Sequence, residues 1–205
     1  MLSFVDYFPG SVLLQGEDQQ RLHEWVGIRK DWKLVYKATK DGFFAKDFHK
    51  ACDWKGENLG IIRSENGYLF GWWTPYSWQS SGNYVSDSKT FIFTLTNPAG
   101  LPAKYTIYLS QNTIFDHSSY GPVLGCGNDI LVPDSFDVND GWTNFPGSYE
   151  DTTGRGQLTF TGNSKFKVIE IEVFVPLSNL YERFASEDEV SLTARESDML
   201  NKLNL

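Results

Sequence analysis

The step Asn66-Gly67 lies between two apolar runs, residues 59–63 and 68–73. Asparagine and glycine both accept the backbone conformation of a tight hairpin turn, so this pattern is a strong local signal for a β-hairpin. The second run is rich in aromatic residues and the first contains two isoleucines, and these residue types pack well on a pleated surface. The chain is therefore expected to build an antiparallel sheet around this hairpin.

Similar short runs recur along the chain between turn-forming residues. They predict further strands at residues 32–38, 90–96, 105–109, 130–132 and 166–175, with 134–155 as a polar loop containing small strand pieces. Helices are predicted at 17–26, where Gly27 ends the helix, and at 43–52, where Phe44, Phe48, Ala51 and Cys52 line one face. The predicted fold class is α+β, mainly β: an antiparallel two-sheet β-sandwich flanked by a few short helices.

The net charge and the composition of the chain limit the classes of function that it can have. The chain of 205 residues carries a formal net charge of -8, which disfavours nucleic acid and anionic membrane surfaces as partners. No apolar stretch approaches the ~20 residues of a membrane span, and the N-terminus lacks the basic region of a signal peptide. Two cysteines are too few for a disulfide scaffold. We therefore expect a cytoplasmic protein with no membrane insertion.

Five segments, in one order, carry a family resemblance. They are WKLVYKATKDGFFAKDFHKACDWKG from Trp32, SENGYLFGWWT from Ser64, FIFTLTNPAG from Phe91, DHSSYGPVLGCGNDI from Asp116 and KFKVIEIEVF from Lys165. This series resembles the TLDc domain of the eukaryotic oxidation-resistance proteins and their relatives. The resemblance assigns residues 10–176, including the N-terminal helix, to the domain. Residues 177–205 would form a polar tail with a helix at about 188–203, either lying on the domain surface or extending as an arm that engages a partner.

The resemblance implies a non-catalytic protein-interaction domain without a cofactor. Members of the family regulate the vacuolar proton-pumping ATPase by binding its peripheral stalk and the adjoining catalytic-head subunit. The associated cellular role is protection from oxidative stress. The expected location is the cytoplasm, with recruitment to endolysosomal or vacuolar membranes through the protein partner.

The resemblance also marks a signature loop, which is a candidate binding surface. Trp72 is a further candidate because aromatic residues are dense around it, although the family usually has a glycine at this position. The loop candidates are Asp116, His117, Ser119, Tyr120, Asn128 and Asp129. The run from Asp116 to Pro122 is typical of a structured turn held by side-chain hydrogen bonds. Residues 125–129 read Gly-Cys-Gly-Asn-Asp here, whereas the family usually has Gly-Gly-Gly-His-Asp. Because asparagine tolerates the left-handed backbone, we expect Asn128 to have a backbone role.

Enzymatic activity is the second hypothesis, with Cys52, Glu170 and Glu172 as candidates. Cys52 follows His49 by about one helical turn, and an imidazolium nearby could lower a thiol pKa; alternatively, Cys52 is a buried apolar residue. Glu170 and Glu172 share one strand face about 6.5–7 Å apart, near the carboxylate separation of inverting glycosidases. Alternatively, these acids are solvated or paired with a base such as Arg63.

A carbohydrate-binding sandwich is the third hypothesis. Strand alternation sends Trp72 and Trp73 to opposite faces, so that one of them would be exposed and could stack on a sugar or anchor a partner. Core packing is the alternative. Asp134, Asp137, Asn139 and Asp140 miss the spacing of a calcium loop and are interpreted as turn formers, so no metal is expected.

Overall fold

A computed structural model of the chain describes residues 5–27, 31–108 and 112–178. Within these ranges the chain forms three α-helices, twelve β-strands and a single 3-10 turn, Gly156–Leu158. The helices are α1 (Gly16–Val26), α2 (Ala38–Asp41) and α3 (Ala45–Cys52). The strands are β1 (Trp32–Lys37), β2 (Asn58–Ser64), β3 (Leu69–Thr74), β4 (Asn83–Val85), β5 (Phe91–Thr96), β6 (Ala103–Thr106), β7 (Ile114–Asp116), β8 (Val123–Leu124), β9 (Ile130–Leu131), β10 (Gly141–Trp142), β11 (Lys165–Phe166) and β12 (Val168–Pro176).

The strands form two antiparallel sheets of six strands each. Sheet one has the order β1-β12-β2-β3-β5-β6, and sheet two has the order β11-β10-β9-β8-β7-β4. The sheets make a sandwich and do not close into a barrel. The predicted fold class, a mainly β two-sheet sandwich with a few short helices, is confirmed.

The predicted hairpin is confirmed, with strand bounds within one residue of the predicted runs. Strands β2 and β3 pair antiparallel from Asn58 opposite Thr74 to Arg63 opposite Leu69. The connecting turn has Gly67 at φ 82°, a left-handed conformation that glycine adopts without steric cost. The local turn chemistry therefore set the register of the central strands of sheet one.

One apolar cluster lies between the two sheets. Sheet one contributes fully buried side chains such as Phe70, Trp72 and Ile92, and sheet two contributes Ile114 and Ile130. Helix α3 adds further apolar side chains to the same cluster. This cluster is the core that a sandwich requires, because each sheet buries its inner face against the other.

A second apolar cluster covers the outer face of sheet one. The segment before α1 contributes Phe8 and Leu14, α1 contributes Leu22, and sheet one contributes Ile61 and Phe93. Strands β2, β3 and β5 are therefore buried on both faces and read as nearly continuous apolar runs. This second layer buries side chains on the outer face of sheet one that the sequence predicted to be exposed.

Several predicted elements differ from the observed ones. The helix predicted at 43–52 begins at Ala45. Phe44 precedes the helix with 47% of its surface exposed, so it does not share a helical face with Phe48 and Cys52 as predicted. The strand predicted at 166–175 is two strands: β11 lies in sheet two and β12 in sheet one. Helix α2 and strands β4, β7 and β8 were not predicted. The helix predicted at 188–203 lies outside the described residues.

Candidate functional site

Helix α3 is fixed at its first turn by an acid from a distant loop. The main-chain N–H of Ala45 donates to Asp134 Oδ1 over 2.7 Å, and the N–H of Phe44 donates to Asp47 Oδ2 over 3.2 Å. Carboxylates at a helix N-terminus satisfy N–H groups that lack intrahelical partners and interact favourably with the helix dipole. Asp134 therefore stabilises the start of α3. Its interpretation from the sequence as a turn former also gave it a structural role.

His49 joins α3 to the signature loop. Its Nδ1 lies 2.8 Å from Asp53 Oδ1, and its Nε2 lies 3.1 Å from the carbonyl oxygen of His117 and 3.0 Å from that of Tyr120. Carbonyl and carboxylate oxygens only accept, so both ring nitrogens act as donors when the ring is an imidazolium. Burial lowers the pKa of His49, but the Asp53 carboxylate and the Tyr120 carbonyl outweigh it, and the pKa lies above its ordinary value.

Asp116 organises the segment that follows β3. Its buried carboxylate accepts hydrogen bonds from the N–H groups of Gln79, Ser80 and Ser81 and from the Tyr76 hydroxyl, at 3.0–3.4 Å. An anion surrounded by backbone donors fixes a loop more firmly than neutral partners do. Asp116 has no exposed surface, so its inclusion among surface candidates is corrected: it supports the loops from beneath.

The turn after Asp116 is held as predicted. Tyr120 N–H donates to the carbonyl of His117 over 3.1 Å, and Ser119 N–H donates to His117 Nδ1 over 3.1 Å. The His117 ring packs against those of Phe115 and Tyr120, with centroids 5.3 and 5.6 Å away. Ser119 is exposed and the rings of His117 and Tyr120 are partly exposed, so these three side chains are accessible to a partner.

The glycine-containing loop confirms the backbone role of Asn128. Asn128 has φ 62° and Gly125 has φ 83°, so both occupy the left-handed region. The N–H of Asn128 donates to Gly125 O over 3.3 Å, and its carbonyl accepts from the N–H of Asn144 over 3.0 Å. Cys126, at the tip of this loop, is exposed.

Asp129 closes the same loop from inside the protein. It is fully buried, and its carboxylate accepts from Gly147 N–H at 2.5 Å and from Ser148 N–H at 2.8 Å. Burial raises the pKa of Asp129 above its ordinary value, although these two N–H groups lower it. Like Asp116, Asp129 is a support for the loops, and its assignment to the binding surface is corrected.

Glu170 and Glu172 are also buried, with 5% and 0% of their surfaces exposed. Glu170 accepts from the Thr39 N–H at 3.1 Å and the Thr39 hydroxyl at 2.5 Å. Glu172 accepts from the Ser11 hydroxyl at 2.5 Å and the Val12 N–H at 2.9 Å, and Lys37 Nζ lies 3.4 Å away. The expected pairing with a base is found for Glu172, with Lys37 as the base, whereas solvation of the two acids was the wrong expectation. The two carboxylates do not face a shared cleft; each attaches a different segment to the outer face of β12.

Cys52 lies in the inter-sheet core with 1% of its surface exposed. Burial raises the pKa of its thiol well above the ordinary value, and the Asp53 carboxylate raises it further. A reactive cysteine needs access and a lowered pKa. The hypothesis of an activated Cys52 is therefore contradicted, and its alternative, a buried apolar cysteine, is confirmed.

Trp72 is fully buried and Trp73 is 9% exposed. Alternation places them in different clusters, as expected, but the layer formed by α1 and the segment before it covers the outer face. Trp72 Nε1 donates to Asn58 Oδ1 over 2.8 Å and Trp73 Nε1 to Glu57 Oε1 over 2.7 Å. Trp72 cannot belong to a binding surface. Because Trp73 is also buried, neither indole is available to stack on a sugar, as the carbohydrate-binding hypothesis requires.

An open depression of about 530 Å³ lies beside α3, next to the signature loop. Its lining includes Lys46, Lys50, Trp54 and Lys55, with Ser118 contributed by the loop. Sequence reasoning missed this group. The i,i+4 spacing of Lys46 and Lys50 on a helix was the available signal, because residues at that spacing share one face.

Among the described residues, no three or more His, Cys, Asp and Glu side chains are arranged to hold a metal ion. Every helix in that part of the chain is too short or too polar for a transmembrane span.

The fold and these loops define a two-layer β-sandwich whose surface turns are anchored by buried acids and one buried histidine. The family model of the TLDc domain matches residues 9–176, and the chain belongs to this family. No curated protein matched the chain.

Proposed function

We propose that this TLDc domain is a non-catalytic protein-interaction module that regulates the vacuolar proton-pumping ATPase, as the oxidation-resistance proteins that it resembles do. The observation that carries the proposal is the anchoring of the signature loop. The buried His49 binds two main-chain carbonyls of the loop. The buried Asp116 and Asp129, which belong to the loop, fasten it to residues 79–81 and 147–148. The side chains of His117, Ser119 and Tyr120 remain accessible.

A rigid loop suits protein recognition. Association costs free energy for every loop and side chain that becomes ordered at the interface, so a loop held in place beforehand loses less affinity. The ring of His117 is supported by two aromatic neighbours, and Tyr120 presents an aromatic side chain of the kind enriched at interface centres. The exposed side of the loop thus has both the stiffness and the chemistry of a contact surface.

The two carboxylates and the thiol that were candidates for catalysis have structural roles. Glu170 and Glu172 bind main-chain and hydroxyl donors, and Cys52 is packed in the core. These structural roles support the binding hypothesis over the enzymatic one.

The proposed partners are the peripheral stalk of the ATPase and the adjoining catalytic-head subunit, and the proposed cellular role is resistance to oxidative stress. The domain would act in the cytoplasm and reach endolysosomal or vacuolar membranes through this partner.

Binding of purified peripheral-stalk subunits to the domain, measured by biolayer interferometry at low salt, tests the proposal. Ser119→Arg places a long charged side chain on the accessible side of the loop, and we expect it to weaken binding about tenfold or more. Ser88→Arg is the matched control, because Ser88 is an exposed serine in a different loop. The proposal fails if the unaltered domain shows no binding at tens of micromolar, or if both variants bind alike.

A further inference from the structure

The depression beside α3 concentrates positive charge on an acidic chain. Three lysines line it, Lys46, Lys50 and Lys55, although the chain as a whole has a net charge of -8. Lys46 and Lys50 are exposed and Lys55 is partly exposed. A local basic patch on an acidic protein attracts an acidic partner selectively, because the remainder of the surface repels it.

The acid in the lining does not cancel this charge. Asp53 Oδ1 pairs with His49 Nδ1 over 2.8 Å, and Asp53 Oδ2 accepts from the Ser80 hydroxyl over 2.6 Å. Both oxygens of the Asp53 carboxylate are thus engaged by His49 and Ser80, and three lysines against one acid leave an excess of basic groups in the lining.

Trp54 adds an apolar surface to the same lining. Its side chain is 60% exposed, and its backbone has φ 61°, which is unfavourable for a bulky residue. The Trp54 N–H donates to the carbonyl of Trp78 over 2.7 Å, which holds this conformation against the body of the sandwich. Residues kept in such sparsely populated conformations cluster at binding sites.

We propose that this depression docks an acidic segment of a protein partner, with its carboxylates on Lys46, Lys50 and Lys55 and an apolar side chain against Trp54. This inference rests on the proposed function, because it supplies the contact chemistry of a protein-binding domain. The volume of about 530 Å³ accommodates a few side chains. Docking there would extend the contact surface of the signature loop through Ser118, which lines the depression.

The geometry favours separate carboxylates over a compact phosphate group. The lining offers lysines, which act as separate point charges, and lacks the forked arginine that binds phosphate in a bidentate manner. A peptide can distribute its charges over such a surface.

An array of 12-residue peptides tests the inference, with carboxylate number and aromatic content varied independently and with Gln/Asn-matched sequences as the neutral set. Three proteins are compared: the unaltered domain, the triple variant Lys46→Glu/Lys50→Glu/Lys55→Glu, and the control Lys33→Glu/Lys89→Glu/Lys165→Glu. The control changes the net charge equally at exposed lysines outside the depression. Circular dichroism verifies that all three are folded.

We expect the unaltered domain and the control to retain acidic peptides, with the best sequences bound about tenfold more weakly by the triple variant. Trp54→Ala should remove the preference for aromatic content and retain the preference for carboxylates. Affinity should fall as salt rises, because exposed charges are screened. The inference is overturned if acidic peptides are not enriched, if the triple variant and the control behave alike, or if inorganic phosphate or ATP at equal concentration displaces the peptides completely.

This result is separable from the test with the stalk subunits. Acidic enrichment without stalk binding would leave the depression as a docking site and reject the ATPase as the partner. Stalk binding that survives the triple variant unchanged, together with an array lacking acidic enrichment, would keep the proposed function and reject the depression.

Discussion

His49 Nε2 lies 3.0 Å from the carbonyl oxygen of Tyr120, a residue 71 positions later in the chain. This contact joins α3, which packs on the inter-sheet core, to the turn that presents the accessible signature residues. The same ring also pairs with Asp53, so a single buried side chain connects a helix, the segment after it and the loop.

Replacing His49 should make stability less dependent on pH. The folded-state pKa of His49 is raised, so its stabilising contribution is fully present below its unfolded-state pKa of about 6.5 and is lost as pH rises through the folded-state value. We expect His49→Gln to cost roughly 2 kcal/mol at pH 6 and less at pH 8.5. Urea unfolding of both proteins at the two pH values measures the difference, and an equal cost at both would contradict a charged His49.

Asp116→Asn should be strongly destabilising despite its nearly identical shape. The amide replaces one carboxylate oxygen with an NH₂ group, which would face the N–H donors of Gln79, Ser80 or Ser81. We expect a loss of about 2–3 kcal/mol in the free energy of unfolding. Asp137→Asn, at an exposed position, is the control and should change stability by less than about 0.5 kcal/mol. Equal effects of both substitutions in urea titrations would contradict the assigned role.

Glu172→Gln should loosen the segment that precedes α1. The carboxylate holds Ser11 and Val12 and lies 3.4 Å from Lys37 Nζ, and a neutral amide supports these contacts poorly. We expect faster hydrogen exchange at the amides of Val12 and Leu14, with a stability loss of about 2 kcal/mol. Glu65→Gln, at an exposed turn, is the matched control. Unchanged exchange in the segment would show that Glu172 does not fasten it.

Gly60→Ala should destabilise the protein more than the same substitution at a glycine with free space around it, such as Gly82. An added Cβ at Gly60 would lie 2.1 Å from Cη2 of the buried Trp72 indole, which has no room to move. At Gly82, with φ +73°, no atom lies within 4 Å of an added Cβ, so Gly82→Ala bears only backbone strain of about 1–2 kcal/mol. We expect a loss of about 3 kcal/mol or more for Gly60→Ala. Thermal unfolding compares the two, and a larger loss at Gly82 would refute the close packing at Gly60.

The two cysteines should differ in reactivity. Cys126 is exposed, whereas Cys52 is buried and its thiol pKa is raised well above the ordinary value by burial. We expect the native protein to react rapidly with DTNB at one thiol and, after denaturation, at two. Cys126→Ser should remove the rapid phase. Rapid modification of Cys52 in the native Cys126→Ser variant would revive the redox hypothesis.

Local chemistry in the sequence determined much of the sandwich. The Asn-Gly step specified a tight turn, and the flanking runs specified the β2–β3 pair, because turn geometry and side-chain alternation act over a few residues. Gly27 ended α1 as predicted, with φ 78°. Asn128 adopted the left-handed backbone for the same local reason. The five ordered segments identified the family, which the match over residues 9–176 establishes.

Only the tertiary structure decided which face of each strand meets solvent. The outer face of sheet one is covered by Phe8, Leu14 and α1, which come from the start of the chain, and this layer buries Trp73 and Glu172. Alternation along β12 or β3 specifies which side chains share a face, but contacts made across some 160 residues decide whether that face is covered. Glu170 and Glu172, which resembled a catalytic pair in the sequence, therefore bind neighbouring segments instead. The basic depression could not be predicted because its lining combines α3 with loop residues that are distant in the sequence.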